Sequence, residues 1–472
     1  MVESHPIDSR KATRVSRVIE LIHDRIAARH LGRGARLPSI RSMAKSACVS
    51  PSTVVEAYDR LVAEGTITAR RGAGYFVRRS PPPRENTETV FTPDINRSVD
   101  PYWISRQSLE SDSETLKPGC GWLQQSWLPD LLLRKALRSI ARDPGVDMTA
   151  YAPPHDHPGL RDYLAREMTD RAIDAAPEQI ILTHSSTQGI DLACQLFLEP
   201  GDKVVVDDPC YFNFTAIVWA NRANIVSVRY TQEGPDLTQL AQILAEHRPR
   251  LYITNATLHN PTGATLSPSV AREILRLAKT YNTIILEDDV FADFAQERTT
   301  RLAALDGLNQ VVYAGSFSKT LSASARCGYL VARRDWIEKL TDLKLATTFG
   351  SPLLASELIY RSLTGGGYRR HIDGMLVKLA DAMAQTRLRL GTCGLKPWIA
   401  SRGGMYVWAE LPEGLDAAAV ARYGLQRGVL YAPGNAFSLS QSCSSFLRFN
   451  VGQCADKKIF DVLSEAISYL RN

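Results

Sequence analysis

The chain has 472 residues, 44% of them hydrophobic and 22% charged, a composition ordinary for soluble globular protein and a length that suits a small module plus a large one. Its eight cysteines are scattered, with neither a CxxC pair nor histidines at metal-ligand spacing, so the expected metal is none. No apolar run is long enough to cross a bilayer and MVESHPIDSRKATR lacks a signal-peptide core, which makes the cytoplasm the expected location. Charge is confined: residues 1–80 hold fifteen Lys/Arg against seven Asp/Glu, a local +8 in a chain whose total is +6. A positive module of this kind suits phosphate-backbone binding, although a solvated basic surface has the same composition.

In chain order, Val15, Val18, Ile19, Ile22 and Ile26 recur at helical spacing until Gly32 and Gly34 stop the pattern. Ser39 can cap a second helix, with Ile40, Met43, Ala44 and Ala47 on one face. Ser50-Pro51 reads as an N-cap with a first-turn proline, and Val54, Tyr58, Leu61 and Val62 form the buried stripe of a third helix ending at Gly65. TITAR and GYFVR then flank Arg71-Gly72-Ala73-Gly74, a hairpin with a basic, glycine-rich tip. The pattern is that of a winged helix-turn-helix, predicted over residues 1–79.

Residues 80–115 are rich in Pro, Ser, Thr and charge and read as a linker. Beyond them IILT (180–183), KVVVD (203–207), LYITNA (251–256), TIILED (283–288) and VVYAGSF (311–317) alternate with helical stretches. This predicts an α/β domain with a mainly parallel sheet over residues 116–472.

In a helix-turn-helix the N-terminal turn of the second helix of the pair enters the major groove, which directs Ser50, Ser52 and Thr53 at base edges or phosphates. Arg41 on the preceding helix suits phosphate or guanine, and Arg70, Arg71 and Gly72 on the hairpin suit a neighbouring groove or backbone. The string LPSIRSMAKSACVSPSTVVEAYDRLVAEGTITARRGAGYFV resembles the DNA-binding domain of the GntR regulators over its full length. Pro51 departs from the arginine often found at its position.

In the second domain, Ser316-Phe317-Ser318-Lys319 follows an apolar strand, Arg326 lies seven residues further on, and Glu287-Asp288-Asp289 and Asn260-Pro261-Thr262-Gly263 close other strands. Ligands of open α/β sheets bind at such strand ends. Ser185-Ser186-Thr187-Gln188 sits between a strand and a helix, where hydroxyls and free N–H groups can hold phosphate.

Together GSFSKTLSASARCGYL, HNPTG, LEDDVFADF, SSTQ and DDPCYFNF resemble a fold type I aminotransferase. Joined to the GntR-like module, the chain resembles the MocR subfamily, in which a winged helix-turn-helix is fused to an aminotransferase-like domain that binds pyridoxal 5′-phosphate (PLP), with a smaller C-terminal α+β subdomain. The resemblance implies that Lys319 forms a Schiff base with PLP, Asp288 pairs with the pyridine nitrogen, Asn260 bonds the phenolic oxygen and Tyr211 stacks on the ring. It makes Ser186, Thr187, Ser316, Ser318 and Arg326 phosphate candidates, gives Tyr151 a phosphate contact from the partner subunit, and makes Arg448 the anchor of an α-carboxylate. Where aminotransferases commonly carry a tyrosine, this chain has Phe291, which cannot donate to the cofactor oxygen. The expectation is a homodimer that binds a double-stranded DNA operator and senses PLP or a small amino compound. The alternatives are a working aminotransferase with an appended DNA-binding module, and a regulator whose large domain only dimerises.

Overall fold

The computed structural model describes residues 13–28, 30–78, 102–295, 299–400 and 403–471. Two compact units divide the chain, Met1–Phe91 and Thr92–Asn472.

The first unit contains α1 (Arg14–Ala27), α2 (Ile40–Ala47), α3 (Pro51–Ala63), β1 (Ile67–Arg70) and β2 (Gly74–Val77). Ser39 Oγ accepts from Ser42 N at 3.2 Å and Ser50 Oγ from Thr53 N at 3.3 Å, so both caps expected from sequence satisfy helix N–H groups. Val18, Ile22, Met43, Val54, Tyr58 and Leu61 form one small core with Ile67 and Val77 of the hairpin. β1 and β2 pair antiparallel, and Gly72 and Gly74 take positive φ at the tip, where a Cβ is strained.

In the second unit eight strands form one sheet: β3 (Ile180–Thr183), β4 (Lys203–Asp208), β5 (Asn224–Thr231), β6 (Gly234–Pro235), β7 (Leu251–Thr254), β8 (Ile284–Asp288), β9 (Val311–Ser316) and β10 (Gly328–Val331). Their spatial order is β3-β10-β9-β8-β7-β4-β5-β6. The central pairs are parallel, whereas β10 runs antiparallel to both its neighbours. All five strands expected from apolar runs are present, and helices cover both faces of the sheet over two cores. A four-stranded sheet, β11 (Lys396–Pro397), β12 (Tyr406–Glu410), β13 (Ala432–Pro433) and β14 (Phe446–Asn450), packs with Lys458–Arg471 as the smaller C-terminal subdomain.

The stretch expected to be a linker differs at its C-terminal end. Residues 80–101 lie outside the described residues, but α4 (Trp103–Glu110) is a helix that buries Trp103, Ile104, Gln107 and Ser108. Half of that stripe is polar and it spans only two turns, too little to register as hydrophobic periodicity. Next come α5 (Asp130–Arg142), α6 (Pro158–Asp170) and α7 (Ser186–Phe197). Lys344 Nζ donates to both oxygens of Asp156 at 2.6 Å, a buried pair that ties the loop before α6 to the Arg334–Thr348 helix.

Candidate cofactor site

The C-terminal ends of the parallel strands open on a cavity of about 780 Å³. Strand β8 ends in Asp288, which is fully buried. Asn255 Nδ2 donates to Asp288 Oδ2 at 3.2 Å, while Asp288 Oδ1 is buried with no partner. Burial raises the carboxyl to about 7, outweighing the Asn255 hydrogen bond and the nearby Lys319 charge, which both act to lower it. Lys319 follows β9, and burial together with the Arg448 guanidinium lowers its ammonium to about 8. Its Nζ donates to the Gly121 carbonyl at 2.6 Å.

The far rim is a helix start. Ser185 caps α7, accepting from Gln188 N at 3.1 Å, so Ser186 and Thr187 present the first turn to the cavity. A side chain at Gly328 would stand 2.5 Å from Ser185 C and 2.6 Å from Ser186 N. Only glycine lets β10 lie this close, and that approach brings Arg326 and Ser318 into the same lining as the helix N-terminus. Hydroxyls, a guanidinium and a helix N-terminus together make an anion cradle.

Tyr211, directly before the Phe212–Ala220 helix, and Asn260, beyond β7, complete that side. Arg448 on β14 is buried; its Nη1 donates to Asn260 Oδ1 and its Nη2 to the Gly119 carbonyl, both at 2.7 Å. The Tyr406 and Phe437 rings flank its guanidinium at 4.3 and 4.7 Å, and its Nε is unpartnered.

Two expected phosphate residues stand apart. Ser316 Oγ is turned onto Ser318 Oγ at 2.9 Å and the Cys327 carbonyl at 3.2 Å, and does not line the cavity. Tyr151 is 80% exposed and packs edge-on against Phe349, outside the cavity of its own chain. Phe291 lies where expected, 5.5 Å from the Tyr406 ring and edge-on to it. Sequence reasoning missed Tyr406, Asn255 and the Gly119–Gly121 carbonyls. The Tyr406 hydroxyl and Lys319 Nζ lie 3.6 and 3.9 Å from the point a Gly121 side chain would occupy, so both face Gly121 within the cavity lining.

Residues 123–467 match the family model for aminotransferase class I and II. The chain belongs to that family. Residues 14–77 match the model for bacterial regulatory proteins of the gntR family, and the two together are the domain organisation of MocR regulators. YdcR of Escherichia coli K12, described as an uncharacterized HTH-type transcriptional regulator, is 27% identical across 91% of this chain and 93% of its own length. The 2-aminoadipate transaminase of Thermus thermophilus is 29% identical over 67% of this chain and 80% of its own. The structure of LysN, an α-aminoadipate aminotransferase from the same species in complex with N-(5′-phosphopyridoxyl)-L-leucine, superposes with a TM-score of 0.70 at 26% identity, covering 78% of this chain and 95% of that one.

The family implies PLP, and the residues present fit it. A buried, unpartnered carboxylate oxygen suits a protonated pyridine nitrogen, the α7 cradle suits a phosphate, and Lys319 supplies a primary amine.

In the first unit Arg41, Ser50, Ser52, Arg70, Arg71 and Gly72 are exposed and Thr53 is half-buried. The Ser50 hydroxyl lies 2.8 Å from those of both Ser52 and Thr53, which gathers three hydroxyls at the start of α3. Arg70 stacks over Phe76 of the facing strand at 4.7 Å, which holds its guanidinium along the wing. Among the described residues no helix is long and apolar enough to cross a membrane.

Proposed function

We propose that the protein is a transcription regulator that binds an operator as a homodimer through its winged helices and senses PLP, or an amino compound reacting with it, at Lys319. The observation that carries this reading is one chain with Lys319, Asp288, Asn260, Tyr211 and Arg326 around one cavity in its large unit and a cluster of three hydroxyls at the start of α3 in its small one. When bound, PLP supplies an aldehyde that condenses with an amine, releasing water, and an electron-accepting ring.

The chain's own residues then have separable tasks. Lys319 offers the amine, and Asp288 Oδ1 holds the ring-nitrogen proton. Ser186, Thr187, Ser318 and Arg326 hold the phosphate with the α7 N–H groups, and Ser316 acts by fixing Ser318. Asn260 bonds the phenolic oxygen while oriented by Arg448, whose guanidinium also takes the α-carboxylate of an amino acid. Tyr211 would cover one face of the bound ring, and Tyr151, exposed in its own chain, would contact the phosphate in the other subunit of a homodimer. Phe291 brings no donor to the phenolic oxygen, a departure that favours sensing over turnover unless the Tyr406 phenol takes its place.

Saturation with PLP is expected to give a visible absorption band that Lys319→Ala abolishes; a band that survives the substitution rejects the assignment. Conversion of external amino acids at ordinary enzyme rates in single-turnover mixing would favour a working aminotransferase instead.

A further inference from the structure

Residues 116–122 form a strap between α4 and the cavity, and two of the site's cations, Arg448 and Lys319, hold it. Arg448 Nη2 donates to the Gly119 carbonyl at 2.7 Å and Lys319 Nζ to the Gly121 carbonyl at 2.6 Å. Asn450 Nδ2 bonds the carbonyls of Cys120 at 3.1 Å and Trp122 at 2.7 Å, and Leu116 N reaches the Gly428 carbonyl at 2.9 Å. Gly119 packs so closely that a Cβ would stand 2.5 Å from Ala432 N, and its own N donates to the Leu430 carbonyl at 2.9 Å, so the strap lies directly against the β13 backbone.

Lys117 is the tie at the other end. Its Nζ donates to the carbonyls of Ser108 at 3.1 Å and Ser111 at 3.2 Å, at the C-terminal end of α4, where a cation also meets the negative end of the helix dipole. Helix α4 is itself a cavity wall, through Ile104, Ser105, Ser108 and Leu109. The Ser108 hydroxyl is buried, with the residue 2% exposed, and has no partner among the described residues. In sequence α4 is the first described element after the segment that joins it to the winged helix.

We propose that Lys117 is a positioning residue that couples occupancy of the cavity to α4, and hence to the chain leading to the DNA-binding unit. A ligand that changes what Lys319 or Arg448 bonds changes what holds Gly119 and Gly121, and the strap passes this through Lys117 to the last turn of α4. The inference rests on PLP binding at Lys319.

The test is amide hydrogen exchange on the full chain with and without saturating PLP, the visible band being read in parallel. In the wild type, exchange in residues 103–111 is expected to change about threefold to tenfold on PLP addition, the size expected when charge-assisted hydrogen bonds are remade. Lys117→Met should keep the band and the PLP-induced protection of residues 186–190, which reports an intact site, but lose the change in 103–111. Lys117→Arg should restore it. If Lys117→Met transmits the change as the wild type does, α4 responds to direct contact and the proposal is overturned; an unresponsive wild-type α4 overturns it too. No band in the wild type rejects the PLP reading and the coupling with it, whereas a band with unaltered α4 exchange rejects the coupling alone.

Discussion

Lys319 condenses with an aldehyde only as the free amine. Burial and the nearby Arg448 hold its ammonium down to about 8, against an ordinary lysine near 10.5. At pH 7 about a tenth of the lysine is therefore neutral, roughly three hundred times more than for an exposed one. The rate of PLP capture should rise with pH and level off above about 8, which mixing experiments followed by visible absorbance would measure; a rate still climbing steeply at pH 10 would contradict the depressed pKa. Asp288 works in the opposite sense, because burial raises its carboxyl to about 7 and leaves Oδ1 unpaired. A protonated pyridine nitrogen bound there would favour the charged form of Asp288. Asp288→Asn is expected to weaken PLP binding by about tenfold or more, since a charged hydrogen bond is replaced by a neutral one. Equal affinity in a spectroscopic titration would remove Asp288 from the cofactor's ring.

At the scale of elements, the close approach at Gly328 shapes the site, and a buried ion pair ties the loop before α6 to the Arg334–Thr348 helix. Gly328→Ala would push β10 off the start of α7, costing about 1–3 kcal/mol and loosening the phosphate cradle, so both melting temperature and PLP affinity should fall. Lys344→Met leaves Asp156 buried without its cation, a loss of about 3–5 kcal/mol readable in denaturant unfolding. A cost under about 1 kcal/mol would show that water reaches Asp156. On the small unit, Arg41→Ala should weaken DNA association and reduce the slope of log affinity against log salt by about 1 if the side chain neutralises one phosphate. An unchanged slope assigns Arg41 to solvent.

Much of the site was legible because its chemistry demands particular residue types next to strand ends: Lys319, Asp288, Asn260 and Arg326 each follow or precede an apolar run, and all four line one cavity. What escaped has a physical reason. The strap contributes carbonyl oxygens, which every residue carries, and Tyr406 reaches the site through sheet pairing that sets Trp408 opposite Arg448. Strand β5 is half exposed and alternates weakly, so it gave no apolar run like those of the central strands. Ser316 was a candidate because serines before the lysine look alike in sequence; only rotamer and hydrogen bonding separate it from Ser318. Tyr151, exposed in its own chain, has a task only if a second subunit is present.

For the whole molecule, the account joins a ligand that takes Lys319 to a DNA duplex held by two winged helices. A ligand can shift such an equilibrium only by its differential affinity for the two states, and the coupling is reciprocal. PLP should therefore alter operator affinity by the same factor by which operator alters PLP affinity. The most direct test titrates the full chain with PLP, then with candidate amino acids, reading the visible band and binding to a duplex selected by the protein from a random library. The account predicts that operator affinity changes in step with the band and that Lys319→Ala, still folded and still binding DNA, loses both responses. A band that saturates while operator affinity stays constant, for PLP and for every amino compound that shifts the band, would contradict it.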